Sequence, residues 1–264
     1  MYYNFHTHTE RCFHASGKEI DYVRSALNQG VSMLGFSDHA PFPDKDYGLR
    51  MHYCDLDDYL SSIASLAEEY KDSIKLFKGL EIEFMPQYID YYKTLYSDHG
   101  MEYLVLGEHI YMKNETQLRN IFFAQSSDDY IDYADAIVQA LDTKLFTFIA
   151  HPDIMFINDI QWDNNCDKAC EMILCAAEKY DIPVEFNANG IRRGKRMYPD
   201  GIRYPYPHMR FWERLKGSKQ KVIIGSDAHI PEQIIDNSVK ISEDICSSLG
   251  LNIIYDPISH KEDL

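Results

Sequence analysis

Seven short apolar runs recur along the chain: "YYNFHTH" (2–8), "SMLGFSDH" (32–39), "IKLFKGLEIE" (74–83), "YLVLGEH" (103–109), "LFTFIAH" (145–151), "IPVEFN" (182–187) and "KVIIGSDAH" (221–229). Nearly continuous apolar segments of this length read as strands buried on both faces. Between them the apolar positions fall at helical intervals. In "KEIDYVRSALNQG", Ile20, Val23, Ala26 and Leu27 share one face and Gly30 supplies a stop. The stretches 55–70 and 128–141 behave alike, and Pro231 opens the stretch 231–250 as a first-turn proline. Strand and helix alternate every 30 to 45 residues, the rhythm of a parallel barrel or a doubly wound sheet.

The polar residues decide between these two. Each apolar run ends in a metal-capable side chain, from the first run to the last. An open sheet gathers its ligands at one switch point, whereas a barrel brings every strand end onto one rim. Seven strands therefore predict a (β/α)7 barrel with its site at the C-terminal strand ends. No low-complexity segment or linker divides the chain, so residues 1–264 are expected to form a single domain.

Composition narrows the function. The formal net charge is −16, and phosphate backbones are bound by a surplus of Lys and Arg, so no nucleic-acid partner is expected. No stretch approaches the apolar length of a membrane span and the N-terminus lacks a signal-peptide layout. Six cysteines (Cys12, Cys54, Cys166, Cys170, Cys175, Cys246) form no C-x-x-C pair. Cys166, Cys170 and Cys175 are expected to be packing thiols, and a reducing cytoplasm is the expected location.

On a strand, His6 and His8 share a face because side chains alternate with period two. Asp227 and His229 repeat that spacing in the last run. With His14, His39, Glu81, His109 and His151 they make nine candidate ligands. One zinc-like ion needs three or four protein ligands, so nine imply two or three ions and a bridging carboxylate. His52, His99, His208 and His260 fall in loops or helices and receive no metal role.

"FHTHTERCFHASG", "GFSDHAPFP", "GLEIEF", "LGEHIY", "IAHPDIM", "EFNANGIRRG" and "GSDAHIPEQI" together resemble the ordered motifs of the PHP (polymerase and histidinol phosphatase) family, nearest its histidinol-phosphatase branch. The resemblance implies a distorted, TIM-like (β/α)7 barrel that hydrolyses phosphomonoesters with two or three divalent transition-metal ions (Zn, Fe or Mn). It would place His6, His8, Glu81 and Asp227 on one metal, His14, His39 and His229 on a second, and Glu81, His109 and His151 on a third. Glu81 would be the bridge, with Glu83 two residues on as the alternative.

Such chemistry needs an activated water, neutralised phosphoryl charge and a protonated leaving group. Asp227, His229 and Glu81 are the expected catalytic groups, and Asp153 is a further candidate for the acid. The segment 189–205 carries Arg192, Arg193, Lys195, Arg196 and Arg203 directly after the sixth run. Arginine grips phosphate through two parallel donors. Arg192 is placed first and Arg193 second as the phosphate-binding residue, with Arg50 as a weaker candidate. The expected substrate is a small phosphate monoester, histidinol phosphate first and nucleotide or sugar phosphates as the alternative. A regulatory metal-binding protein without catalysis and a metal-dependent amide hydrolase are the rival classes.

Overall fold

The computed structural model describes residues 2–258. Its eight-stranded sheet is parallel throughout and follows chain order. The strands are β1 (Tyr2–Asn4), β2 (Val31–Phe36), β3 (Lys75–Ile82), β4 (Tyr103–Leu106), β5 (Phe148–Ile149), β6 (Val184–Asn187), β7 (Lys221–Gly225) and β8 (Asn252–Ile253). Five helices fill the first five connections: α1 (Glu19–Asn28), α2 (Leu56–Glu69), α3 (Ile89–Ser97), α4 (Asp128–Asp142) and α5 (Asn164–Lys179). Two short helices, α6 (Ala188–Arg192) and α7 (Met209–Trp212), lie between β6 and β7, and α8 (Asn237–Leu249) follows β7.

The sheet curls shut at its C-terminal end. Thr7 bridges Ala228 in parallel, with His8 N–H donating to Ala228 O (2.9 Å) and Ala228 N–H to His6 O (3.2 Å). That seam joins the exit of β1 to the exit of β7. At the opposite end of β7, Lys221 and Val222 pair with β8 instead. The barrel of seven expected from the apolar runs is therefore closed on the site side, and an eighth strand, absent from the pattern because it is two residues long, distorts it below.

Regular strands stop earlier than the runs suggested. His6, His8, His39, His109, His151, Asp227 and His229 lie just past the strand ends, on the exits that follow them. Glu81 alone sits inside its strand. Pro231 opens a 3-10 turn (Pro231–Gln233) rather than the helix; α8 begins at Asn237, where Asp236 accepts from the Ser238 and Val239 amides. That side-chain cap satisfies orphan donors which a first-turn proline cannot. Gly30 follows α1 in the left-handed conformation, as its position suggested.

Below the site the barrel interior is packed by Tyr3, Phe5, Phe77, Tyr103, Val105, Phe148, Ala150 and Ile223. Tyr103 spans it, its hydroxyl donating to the carbonyls of Phe5 (3.1 Å) and Phe36 (2.8 Å). Gly35 and Gly79 face this ring, and a Cβ on either would overlap it. A larger apolar layer between sheet and helices makes up the rest of the core. In α5, Cys166 and Cys170 are buried as packing thiols, but Cys175 is exposed because it falls on the helix's outer face. Among the described residues no helix is long and apolar enough to cross a membrane.

Candidate metal centre

The strand exits bring all nine sequence-selected residues to one end of the barrel. Glu81 lies at the middle, almost fully buried, with its two oxygens facing different histidines. Its Oε2 is 3.0 Å from His39 Nδ1, 3.4 Å from His8 Nε2 and 3.5 Å from His6 Nε2. Its Oε1 is 2.9 Å from His151 Nε2 and 3.7 Å from His109 Nε2. Asp227 Oδ1 lies 3.3 Å from both His8 Nε2 and His229 Nδ1, and 3.7 Å from His6 Nε2. His229 Nε2 and His14 Nε2 are 3.0 Å apart, with His39 stacked on the His14 ring.

These spacings fit a cation. Four atoms at metal–nitrogen distance in a tetrahedron lie roughly 3.3 Å from one another, near the separations among His6, His8, Glu81 and Asp227. Five buried atoms of these residues (His6 Nε2, both ring nitrogens of His8, Glu81 Oε2 and His151 Nδ1) have no hydrogen-bond partner among the described residues. Buried polar atoms are rarely left so. Three-residue sets able to share an ion include His6–His8–Glu81, His14–His39–His229, His39–Glu81–His109 and His6–His151–Asp227. His39 and His151 thus each reach more neighbours than the resemblance assigned to them.

Electrostatics divide the histidines: against burial, Glu185 and Glu81 hold His6 well above the usual histidine range, and Glu81 and Glu83 raise His109. Burial drives His8 well below the usual histidine range and His39 down to about 4, leaving neutral rings with free lone pairs. Burial alone would raise Glu81 and Asp227, but the surrounding imidazoles outweigh it and hold both carboxylates ionised. Backbone strain gathers here too, with positive φ at His151 (30°) and Asp227 (50°).

Glu83, the alternative bridge, points elsewhere. It accepts from Arg50 through both oxygens (2.7 and 3.1 Å) and pairs with His109 Nδ1 (3.3 Å). Side chains on one strand face diverge when one of them meets a buried guanidinium. Arg50 is accordingly a structural partner, although it borders the cavity.

The cavity above Glu81 has a volume of about 600 Å³, ample for a small organic ligand. Seven of the nine residues line it; His6 and His8 are buried behind them. Arg193 and Tyr206 form one wall, and Tyr47, Leu49, Phe122 and Phe123 another. Of the two arginines, Arg193 borders the cavity and Arg192 does not. Arg192 turns away, its Nε donating to Asp236 (2.8 Å) and its terminal nitrogens to Ser226 O (3.1 and 3.2 Å). A helical residue and its neighbour point about 100° apart, so one faces the cavity and the other the barrel wall. Asp153 is also withdrawn: Oδ2 accepts from the His208 amide (2.6 Å) and Trp212 Nε1–H (2.9 Å), outside the cavity.

Among the four excluded histidines, His52, His99 and His208 lie apart from the centre, and His260 lies outside the described residues. Three groups went unselected: Glu185, against His6 Nδ1; Asn187 and Asn189, on Asp227 Oδ2 (3.3 and 3.0 Å); and Gln233, accepting from the His229 amide (2.8 Å). A carboxylate inside a run buried on both faces was the available sign for Glu185.

A model of the PHP domain family matches residues 4–189. The chain is 26% identical over 238 residues to a probable histidinol-phosphatase of Deinococcus radiodurans, covering 87% of this chain and 86% of that one. It is 26% identical over 258 residues to the histidinol-phosphatase of Bacillus subtilis, with 85% and 92% covered. In structure it is similar to the histidinol phosphate phosphatase of Lactococcus lactis complexed with zinc, L-histidinol and phosphate (TM-score 0.72, 16% identity, 97% of each chain).

Proposed function

The chain belongs to the PHP domain family, and from that premise we propose that this enzyme, a phosphoric monoester hydrolase, converts histidinol phosphate and water to histidinol and phosphate. One observation carries the reading: Glu81 turns its two oxygens toward separate histidine groups, the arrangement a carboxylate needs to bridge two cations. His6, His8, Glu81 and Asp227 would hold one divalent ion, His14, His39 and His229 a second, and Glu81, His109 and His151 a third. Zinc, iron or manganese bound there would acidify water and neutralise charge on the phosphoryl group.

The chain's own groups do the remainder. Arg193 lies exposed on the cavity wall; among the described residues its side chain hydrogen-bonds only through Nε, to the Tyr206 hydroxyl (3.2 Å), with the guanidinium over the Tyr206 ring. Its terminal donors would hold a phosphoryl oxygen in the two-pronged manner of a guanidinium. Asn187 and Asn189 fix Asp227 so that Oδ1 faces the centre. Asp227 and His229 stand at the reacting end and are the groups placed to hold or pass the proton that the departing alkoxide requires. Tyr47, Leu49, Phe122 and Phe123 would bound the organic portion, with aromatic faces suited to an imidazole.

The cavity is also roomy enough for larger monoesters, so the test is a panel. Metal-loaded protein is assayed on histidinol phosphate beside nucleotide, sugar and aryl phosphates. The expected result is a kcat/KM for histidinol phosphate at least 100-fold above the rest. A flat profile overturns the substrate assignment and leaves a phosphatase of broad range, and full metal without turnover on any ester overturns catalysis.

A further inference from the structure

We propose that Glu185 is the positioning residue of the metal centre, setting which nitrogen of His6 and which backbone conformation of His151 face the ions. The inference rests on reading the nine residues as metal ligands. Glu185 is fully buried in β6 and does not border the cavity. Its Oε1 is 2.7 Å from His6 Nδ1. Its Oε2 accepts from the His151 amide (3.0 Å) and from Asn187 Nδ2 (2.8 Å). Among the described residues no lysine or arginine pairs with it. A buried carboxylate without a lysine or arginine partner is retained at a cost, and these hydrogen bonds connect β6 to the exits of β1 and β5 at once.

The geometry dictates the consequence. A proton on His6 Nδ1 is donated to Glu185, so Nε2 carries the lone pair. That atom faces Glu81 Oε2 and Asp227 Oδ1 and has no hydrogen-bond partner of its own. The partner of one ring nitrogen thus fixes the role of the other. At His151 the held amide belongs to a residue with φ of 30°, a conformation that neighbouring structure must enforce. Gly225 on β7 completes the arrangement, because a Cβ there would overlap the Glu185 carboxylate. Glutamine cannot reproduce this: with its oxygen on the His151 amide its amino group faces His6 Nδ1 and favours the tautomer protonated on Nε2, and with its oxygen on His6 its amino group opposes the His151 N–H.

Zinc affinity by chelator competition in wild type and Glu185→Gln tests this without reference to turnover. Far-ultraviolet circular dichroism and the urea midpoint check that the variant is folded. Zinc should bind the variant at one or more sites about 10–100-fold more weakly. Affinity within twofold of wild type in a folded variant overturns the proposal. If the variant does not fold, 15N NMR of zinc-loaded wild type decides: His6 should be protonated at Nδ1 with Nε2 coordinated, and a proton on Nε2 overturns the role. Wild-type protein that takes up no zinc overturns the metal reading itself, and this inference with it.

Discussion

Gly107 lies against the Glu81 side chain so closely that a Cβ at 107 would overlap Oε1, Cδ and Cγ of the glutamate. The exit of β4 is therefore glycine because the proposed bridging carboxylate occupies the space a side chain would fill. Glu81 is walled on its other sides by His6, His8, His39, His109 and His151.

Gly107→Ala should accordingly displace the carboxylate rather than unfold the barrel. The expected outcome is loss of at least one metal equivalent by elemental analysis and a roughly 10–100-fold fall in kcat/KM, the scale on which disturbed ligand geometry acts. Full metal content with unchanged kcat/KM would show that Glu81 does not need its present place.

Glu81 and Glu83, two residues apart, should fail in opposite ways. Glu81→Gln removes charge from a site crowded with imidazoles, and metal content should fall while the urea midpoint of the metal-free protein is kept. Glu83→Gln strands Arg50, which is 7% exposed, without its two-pronged partner. Removing one member of a buried pair costs about 3–5 kcal/mol, so the loss should appear in urea unfolding. Arg50→Met combined with Glu83→Gln should recover most of it, since glutamine can still accept from His109. A single variant as stable as wild type would show that the pair is not structural.

Arg192 and Arg193 separate by the same logic. A charged hydrogen bond contributes about 1.5–3 kcal/mol, so Arg193→Ala should raise KM for the phosphate ester roughly 10–100-fold with an unchanged urea midpoint. Arg192→Ala should lower the midpoint instead, because it unties Ser226 and the Asp236 cap of α8. The reverse pattern would restore Arg192 as the phosphate residue.

Much of this site was legible because period-two spacing survives past the strand ends. His6 and His8 kept their face although regular hydrogen bonding stopped at Asn4, because the Thr7–Ala228 bridge ties that exit to the exit of β7; Asp227 and His229 also reach the centre, Asp227 through a left-handed backbone. What adjacent residues do in a helix was not legible. Arg192 ends α6 and Arg193 caps it, and only the location of Asp236 in space tells which one is claimed by the fold. The hairpins 110–120 and 196–203 were also missed. Their strands are three to five residues long and, apart from Ile110, Tyr111 and Tyr198, are not buried, so they lack the apolar run that marks a buried strand. Glu185 was passed over because it does not end its run, yet a charge inside such a run always needs a partner.

Acid sensitivity is expected away from the centre as well. His208 is buried, its Nε2 2.8 Å from Asp200 and its Nδ1 accepting the Arg210 amide (3.2 Å) at the start of α7. Burial and the nearby Arg203 guanidinium push it down to about 4, below its unfolded value near 6.5. Between those values the unfolded chain binds the extra proton, so His208 costs no stability above about pH 6.5 and an increasing amount as pH falls toward 4. From pH 7 to pH 5 the loss should be about 2 kcal/mol. His208→Asn keeps an acceptor for the Arg210 amide but cannot titrate. It will forfeit the packing on Phe156 and Trp162 at every pH, so the comparison is of slopes. Urea unfolding of both proteins at pH 7 and pH 5, free of metal, should show the variant losing about 2 kcal/mol less than wild type across that interval. Equal losses would place the acid-labile proton elsewhere in the fold.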